Sequence, residues 1–335
     1  MFQSSTRAPN EIHDWLRRHD GSIASLTQLV DAGLDRLPLP GSGRTLQRWQ
    51  ALAAVAAHDL SLVKLYEGHT DALAILEELK SPLPAPGSRW GTWCAEPPDA
   101  RLSFTARPDG SLRIQGTKAW CSGAATVTHA VVSGWNETGE ACLAAVDMEQ
   151  PGISVTDTGW LAVGMAGSAS VDVKFDDAVG ASIGRPGDYT ARSGFWQGGI
   201  GVAACWFGGA LALAEMTRSL SAGSKDPHRL AHLGEIDVAM AGAAALLREA
   251  AAAVDADPEA DAHLLALRTR LAVEAAAEKV LRHATRALGA GPLCRNARFA
   301  RMAADLPVYL RQSHAERDLA ALGFAISSRE CSWQL

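Results

Sequence analysis

A short stretch near the C-terminus has the side chains that proton transfer requires. It reads Ser313-His314-Ala315-Glu316. An imidazole titrates near neutral pH, so His314 is suited to act as a general base or acid. A serine cannot take a proton from carbon unaided, and Glu316 lies two residues beyond His314, a helical turn of about 200° that places it on another face. We therefore expect His314 to be the acid–base group, ahead of Ser313 and Glu316. A capping or packing role for His314 is the alternative.

Three further side chains, His228, His232 and Glu235, are spaced so that one helix face could present them all to a metal ion. The sequence offers no fourth ligand beside them and no His-Glu-x-x-His motif. Surface histidines in a capped first helical turn explain the same spacing. We therefore expect no metal site.

The overall composition excludes several classes of function. The chain has 335 residues, of which 47% are hydrophobic and 20% charged, and its net charge is −6. Without a basic stripe it is not expected to bind nucleic acid. The start of the sequence lacks the pattern of a secretory signal, and we find no apolar run of bilayer-spanning length, so we expect a cytoplasmic protein without a membrane partner. The six cysteines form no Cys-x-x-Cys pair, which argues against structural zinc and secretion.

The apolar residues change their spacing twice along the chain. Helical spacing holds from residue 9 to about residue 83 and is followed by a proline-rich stretch at 81–87, where a domain boundary is expected. Short alternating runs then predict strands up to about residue 187, with Pro108-Asp109-Gly110 as a hairpin loop. These strands predict a β-barrel or sandwich.

Helical spacing returns after the strands and holds to about residue 327. Breaks at 223–227, 256–258 and 289–292 divide this part into four long helices, enough for an antiparallel bundle. Asp226 and Pro227 are a suitable cap and first residue for the second of these helices. The predicted fold class is therefore α+β, with an N-terminal helical domain (1–88), a central β domain (89–190) and a C-terminal four-helix bundle (191–335).

Several short motifs, in order and with suitable gaps, resemble those of the acyl-CoA dehydrogenase family. Cys94-Ala95-Glu96-Pro97 resembles the family's Thr-Glu-Pro, and Gly116-Thr-Lys118-Ala-Trp120-Cys-Ser122 resembles its Gly-x-Lys-x-Trp-Ile-Thr/Ser. Gly164-Met-Ala-Gly-Ser168 resembles the stretch that closes the β domain, and Arg286-Ala-Leu-Gly-Ala-Gly291 resembles the Gln-x-x-Gly-Gly-x-Gly turn. The resemblance covers nearly the whole chain and implies the same order of domains.

The resemblance also implies FAD as cofactor. Trp120 would supply a flat apolar face for the isoalloxazine ring, Ser122 a hydroxyl donor near its N5 atom, and the backbone from Trp93 to Ala95 donors for its polar edge. A core position is the alternative for Trp120. Further cofactor positions fall on His232, where the family has a glutamine that faces the phosphate arm, and on Arg286 and Gly289 in the glycine turn.

The activity implied by the resemblance is α,β-dehydrogenation of an acyl thioester by a homodimer or homotetramer, with His314 as the base. Three positions depart from the family: Ala95 replaces its threonine, no arginine occurs at 219–225, and Ser313 stands where its catalytic glutamate stands. A histidine in this helix also occurs in relatives that are flavin-dependent monooxygenases, which share the fold but use reduced flavin and oxygen. The alternatives are therefore a flavin-dependent monooxygenase, or a catalytically degenerate oligomeric member of the family.

Overall fold

The computed structural model describes residues 9–19, 25–82, 84–327 and 333. Four helices come first: α1 (Pro9–Arg18), α2 (Leu26–Asp31), α3 (Thr45–His58) and α4 (Leu60–Glu78). Seven strands follow: β1 (Trp90–Trp93), β2 (Leu102–Ala106), β3 (Leu112–Cys121), β4 (His129–Trp135), β5 (Ala141–Asp147), β6 (Ile153–Val155) and β7 (Val171–Ile183). Helices complete the chain: α5 (Asp188–Ala191), α6 (Gly194–Leu220), α7 (Pro227–Ala256), α8 (His263–Leu288), α9 (Ala290–Arg295), α10 (Ala297–Leu310) and α11 (Glu316–Ser327). The predicted α+β class is confirmed.

The chain divides into two compact units. One consists of the described parts of Met1–Leu37 and Ser61–Phe195, and the other of Pro38–Leu60 with the described parts of Trp196–Leu335. Helix α3 therefore belongs with the later helices, although it precedes the strands. The division into domains at 1–88, 89–190 and 191–335 stays a prediction, and residues 328–332, 334 and 335 of its last segment lie outside the described residues.

The first unit is built around a closed sheet. Its strands follow the order β1-β4-β2-β3-β7-β5, and β5 also pairs with β4, which closes the ring; β6 pairs with β7 at its edge. The predicted turn between β2 and β3 is present, with Gly110 at φ +85°. Helix α4 covers one side, where Ile75 and Leu76 pack with Trp90, Val131 and Leu143. This core holds in place the strands that carry the predicted site residues Trp93 and Trp120.

The second unit is a helical bundle with the breaks that the sequence predicts. The Asp226 side chain accepts a hydrogen bond from the His228 backbone N–H, and Pro227 is the first residue of α7. Gly289, at φ +64°, ends α8. The bundle differs from four plain helices because short α9 precedes α10 and α11 follows it. Helix α3 joins it through Thr45, whose hydroxyl and N–H both donate to Asp255 of α7.

Two helices correct the expectation that no apolar run could span a bilayer. By length and composition both α6 and α7 could do so. The apolar stretch of α6 is 61% buried inside the protein, as in the core helix of a bundle, whereas that of α7 is only 17% buried. Helix α7 therefore presents an uncovered apolar surface that includes Leu230 and Val238.

Candidate functional site

Strand β3 has an irregularity that turns Trp120 outward. Its pairing with β7 shifts register between Lys118 and Cys121, and Trp120 adopts a left-handed backbone with φ +58°. A positive φ is rare for a bulky residue, and bulges commonly redirect side chains beside functional sites. Trp120 is 50% exposed, which places it outside the hydrophobic core. The core alternative for Trp120 is therefore wrong, and its ring is free to meet a flat ligand.

Trp93 supports this turn from inside. Its side chain is buried, and its Nε1–H donates to the backbone oxygen of Ser122 at 3.1 Å. Gly91 makes room for the ring, since a Cβ there would lie 2.7 Å from the indole. Ala95, just beyond β1, is exposed. Burial raises the pKa of the neighbouring Cys94 thiol to about 11, so this thiol stays protonated near neutral pH.

A buried ion pair joins the two motifs that carry Ala95 and Trp120. The fully buried Lys118 Nζ donates to the hydroxyl and the backbone oxygen of Ser133, at 2.8 and 2.9 Å, and lies 3.3 Å from Glu96 Oε1. Glu96 also accepts from the Ser133 hydroxyl at 2.6 Å and from Trp135 Nε1 at 2.5 Å. Burial alone would raise the pKa of Glu96, but these hydrogen bonds and the Lys118 charge lower it overall. Glu96 therefore stays charged near neutral pH, and its contacts with Lys118 and Ser133 tie the segment after β1 to β3 and β4.

Three buried serines, one of them Ser122, form a chain of hydroxyl contacts. Ser122 Oγ lies 2.7 Å from Ser170 Oγ, which lies 2.8 Å from Ser168 Oγ. The Ser168 hydroxyl donates to the backbone oxygen of Met165 at 2.7 Å. Ser122 is thus one end of a chain of hydroxyl groups that the sequence did not predict.

In the second unit, the loop between α10 and α11 carries the predicted acid–base residues. Ser313 is buried, and its hydroxyl oxygen accepts from the Ala315 backbone N–H at 3.1 Å. The His314 side chain is 68% exposed, with Nδ1 3.4 Å from Asp318 Oδ1. Glu316 is exposed in the first turn of α11. Of these three side chains, His314 alone combines access with a carboxylate partner that orients its ring.

Helix α8 anchors this loop at two points. Arg270 Nη2 donates to the Gln312 backbone oxygen at 3.0 Å, and its Nη1 donates to the Gly199 backbone oxygen of α6 at 2.7 Å. Arg311 donates to the buried Glu274 at 2.5 Å. The position of His314 is thus set by the bundle rather than by the loop alone.

The remaining predicted cofactor residues lie along α7 and α8 of the same unit. His232 Nδ1 lies 3.0 Å from His283 Nδ1, so the two imidazoles form a pair. Burial first, and then the neighbouring His232, lower the pKa of His283. Arg286 and Gly289 are exposed near the end of α8. Among the described residues no cluster of three or more potential metal ligands occurs.

An open pocket of about 510 Å³ in the second unit contains none of the predicted site residues. Helices α8, α9 and α10 line it with apolar side chains such as Leu281, Leu293 and Leu310. The charged groups Glu278, Arg282 and Arg311 also line this pocket. Nothing in the motif pattern points to this pocket.

Comparison with known proteins identifies solved structures of similar fold. No family model and no curated protein sequence matches the chain. Among solved structures it is similar to dibenzothiophene monooxygenase TdsC from Paenibacillus sp. A11-2, with 22% identity over 96% of each chain and a TM-score of 0.79. It is also similar to methanesulfinate monooxygenase MsuC from Pseudomonas fluorescens (19% identity, 98% of each chain, TM-score 0.78). KijD3, in complex with FMN and a dTDP-linked amino sugar, is 20% identical over 97% of this chain and 93% of its own, with a TM-score of 0.76. TdsC has also been crystallised with FMN and indole.

Proposed function

This chain has the acyl-CoA dehydrogenase fold, and we propose that it is a flavin-dependent monooxygenase acting on a small organic substrate. Dehydrogenation of an acyl thioester, the activity expected first from the sequence, has no specific support from structures of the same fold. TdsC and MsuC, which share this fold, are monooxygenases. The monooxygenase alternative therefore becomes the proposal.

The observation that carries the proposal is the state of Ser313. Dehydrogenation needs a base that takes the α-proton of the substrate, and Ser313 stands where the family has its catalytic glutamate. The Ser313 side chain is buried and already accepts a hydrogen bond from Ala315. It has no route to act as a base. Dehydrogenation would then depend on His314 alone as its base, whereas oxygenation needs no α-proton abstraction and requires of His314 only the proton transfers of oxygen chemistry.

The first unit has groups that fit a flavin ring. Trp120 offers a half-exposed indole face, held there by the bulge in β3. Ser122 offers a hydroxyl oxygen whose one hydrogen-bond partner among the described residues is Ser170. A flat apolar surface beside a fixed polar atom is what an isoalloxazine needs from a protein. Trp93 and the serine chain would hold both groups in place.

FMN suits this chain better than the FAD expected from the sequence. The pyrophosphate of FAD needs cationic contacts, yet 219–225 contains no arginine and ends in Lys225. Arg229, which could compensate, donates through Nε to the Ala287 backbone oxygen at 3.1 Å. TdsC and KijD3 have both been crystallised with FMN. FMN has a single phosphate, which needs fewer cationic contacts than the pyrophosphate of FAD.

Coenzyme A is not expected on the substrate. The family's Gly-Ser-Asp after Glu-Pro is replaced by Pro98-Asp99-Ala100-Arg101. Arg101 is also engaged elsewhere, with its guanidinium 5.2 Å from the centre of the Trp135 ring. We therefore propose a small molecule without a pantetheine arm as the substrate.

The proton-handling residue in this proposal is His314. Reduced flavin, when bound, supplies the two electrons that activate molecular oxygen, one atom of which enters the substrate while the other leaves as water. Asp318 near Nδ1 of His314 would orient the imidazole and leave Nε2 to transfer the proton. Arg270 and Glu274 keep the loop in place during this transfer.

Self-association is proposed as well. The apolar stretch of α7 is 17% buried within one chain, and it is rich in alanine. Small residues allow close helix packing, and an uncovered apolar face of this size marks an interaction surface. We expect a second copy of the chain to cover it, as a homodimer or homotetramer.

Replacing Trp120 with alanine is expected to weaken FMN binding about tenfold to hundredfold, because the ligand loses its flat apolar contact. Titration of the protein with FMN, followed by flavin fluorescence, measures this. Trp333→Ala removes another highly exposed tryptophan and serves as the control, expected to bind FMN like the wild type. Equal weakening in both variants would contradict the assignment. A wild-type protein that binds no flavin would favour the degenerate oligomeric alternative.

Replacing His314 with glutamine is expected to lower oxygen-dependent product formation about 100-fold while FMN still binds, because a general acid–base group contributes about 10²–10⁴-fold. The assay supplies reduced FMN from a flavin reductase and follows product by mass spectrometry. The exposed neighbour Arg317→Ala is the control. A large loss in Glu316→Gln with an active His314→Gln would assign the proton transfer to Glu316 instead.

A further inference from the structure

The hydroxyl chain that ends at Ser122 has a defined direction. Ser168, Ser170 and Ser122 are all buried, and successive hydroxyl oxygens lie 2.8 and 2.7 Å apart. At the far end, the Ser168 hydroxyl contacts the Met165 backbone oxygen at 2.7 Å. A carbonyl oxygen can only accept, so the hydrogen in this last contact belongs to Ser168.

The rest of the chain follows from counting hydrogens. Each serine hydroxyl carries one hydrogen, and two oxygens this close need a hydrogen between them. The Ser168 hydrogen is used on Met165, so Ser170 must donate to Ser168. The Ser170 hydrogen is then used as well, so Ser122 must donate to Ser170. Ser122 therefore has no hydrogen left for a ligand and meets it as an acceptor.

We propose that Ser168 and Ser170 are positioning residues that fix Ser122 as a hydrogen-bond acceptor, and thereby make the site select reduced over oxidised flavin. The N5 atom of reduced flavin carries a hydrogen that Ser122 can accept, whereas N5 of oxidised flavin is itself an acceptor. This inference rests on the proposed function and reverses the donor role that the sequence suggested for Ser122. It also fits a monooxygenase, which must capture flavin already reduced, better than a dehydrogenase, which starts from the oxidised form.

The test compares two dissociation constants, one for oxidised FMN in air and one for reduced FMN under nitrogen. The wild type is expected to bind reduced FMN about tenfold tighter than oxidised FMN. Reduced FMN gains a hydrogen bond to Ser122, whereas oxidised FMN places its N5 acceptor against the Ser122 acceptor. In Ser170→Ala the Ser122 hydrogen is released and can point to oxidised N5. Oxidised FMN should then bind about tenfold tighter, with the affinity for reduced FMN within about threefold of the wild type.

Ser168→Ala removes the hydroxyl group one step further from the ligand. It is expected to change the ratio of the two dissociation constants in the same direction as Ser170→Ala. Without Ser168, the buried Ser170 hydroxyl has Ser122 as its remaining acceptor, so the chain reverses and Ser122 donates outward. Ser122→Ala is expected to differ in kind, since it should weaken reduced FMN about threefold by losing the hydrogen bond and tighten oxidised FMN about threefold by removing the clash of acceptors. Ser154→Ala, on the exposed strand β6, is the matched control for removal of a hydroxyl.

The outcomes separate this inference from the proposed function. If the wild type binds both forms equally, or if the ratio is unchanged in Ser170→Ala and Ser168→Ala, the hydroxyl chain does not select the redox state, although a flavin site exists. If the wild type binds neither form, the proposed function fails and the inference with it. Folding of each variant is checked by its thermal unfolding midpoint, and Ser170→Thr, which keeps a hydroxyl, should restore the wild-type ratio.

Discussion

Replacement of Lys118 by methionine should lower the free energy of unfolding by about 3 kcal/mol, because it removes the fully buried cation of an ion pair and leaves its half-buried carboxylate partner behind. Methionine matches the length of the lysine stem but donates no hydrogen bond. Glu96 would then face Ser133 and Trp135 without its cation, and the Ser133 backbone oxygen would lose its donor. Urea unfolding followed by tryptophan fluorescence measures the change.

The matched control is Lys174→Met on the adjacent strand β7. Lys174 is exposed, so the same substitution should change stability by less than about 0.5 kcal/mol. Equal effects in the two variants would show that Lys118 acts through general charge rather than through its buried pair.

The cost of losing Lys118 should also depend on pH. The pKa of Glu96 is lowered in the folded state, so its charged form adds stability above its ordinary value of 4.5, and this is lost as the pH falls through the folded-state pKa. The difference between wild type and Lys118→Met should therefore shrink below about pH 4. A difference that is the same at pH 3 and pH 7 would contradict the role of the ion pair.

Replacement of Gly208 by alanine should destabilise the second unit. In α6 a Cβ at this position would lie 2.2 Å from the Ala53 backbone oxygen and 2.7 Å from the Ala56 Cβ, both on α3. Because backbone atoms cannot move aside cheaply, we expect overpacking to cost about 3 kcal/mol or more. That cost outweighs the gain of about 1 kcal/mol from better helix propensity, so the thermal midpoint should fall.

Gly201→Ala on the same helix separates the two effects. Its Cβ would lie 3.4 Å from Leu52 Cδ1, an ordinary contact, so the propensity gain should leave stability unchanged or raised. If both glycine variants were equally destabilised, the close approach of α3 and α6 would not be the cause.

Elements that depend on local chemistry were predictable from the sequence. The turn at Gly110, the cap at Asp226 and the helix end at Gly289 each follow from the residues within a few positions. The partner of α3 was not predictable in this way. Its apolar spacing shows that one face is buried, but the residues that bury it, such as Gly208, lie far along the chain.

The candidate site also has parts that were predictable from the sequence and parts that were not. The motif that contains Trp120 and Ser122 is contiguous, so it could be proposed from the sequence, and the same holds for His314. The hydroxyl chain was missed because Ser122 and Ser170 are 48 residues apart and meet only through the pairing of β3 with β7. The shift in register between these two strands cannot be read from the alternating pattern of apolar residues. The carboxylate beside His314 could have been found, since Asp318 follows it by four residues, one turn of a helix.

Helix α3 leaves the ribosome long before its partners exist. Thr45 in its first turn is bound by Asp255, which is synthesised 210 residues later. At elongation rates of about 5–20 residues per second, the delay is about 10–40 s. Trp49 and Leu52, which are buried in the finished protein beside Gly201 of α6, wait for about 150 residues, or about 7–30 s, until that helix is made. Yield in a heterologous host should therefore depend on the supply of holding chaperones during translation.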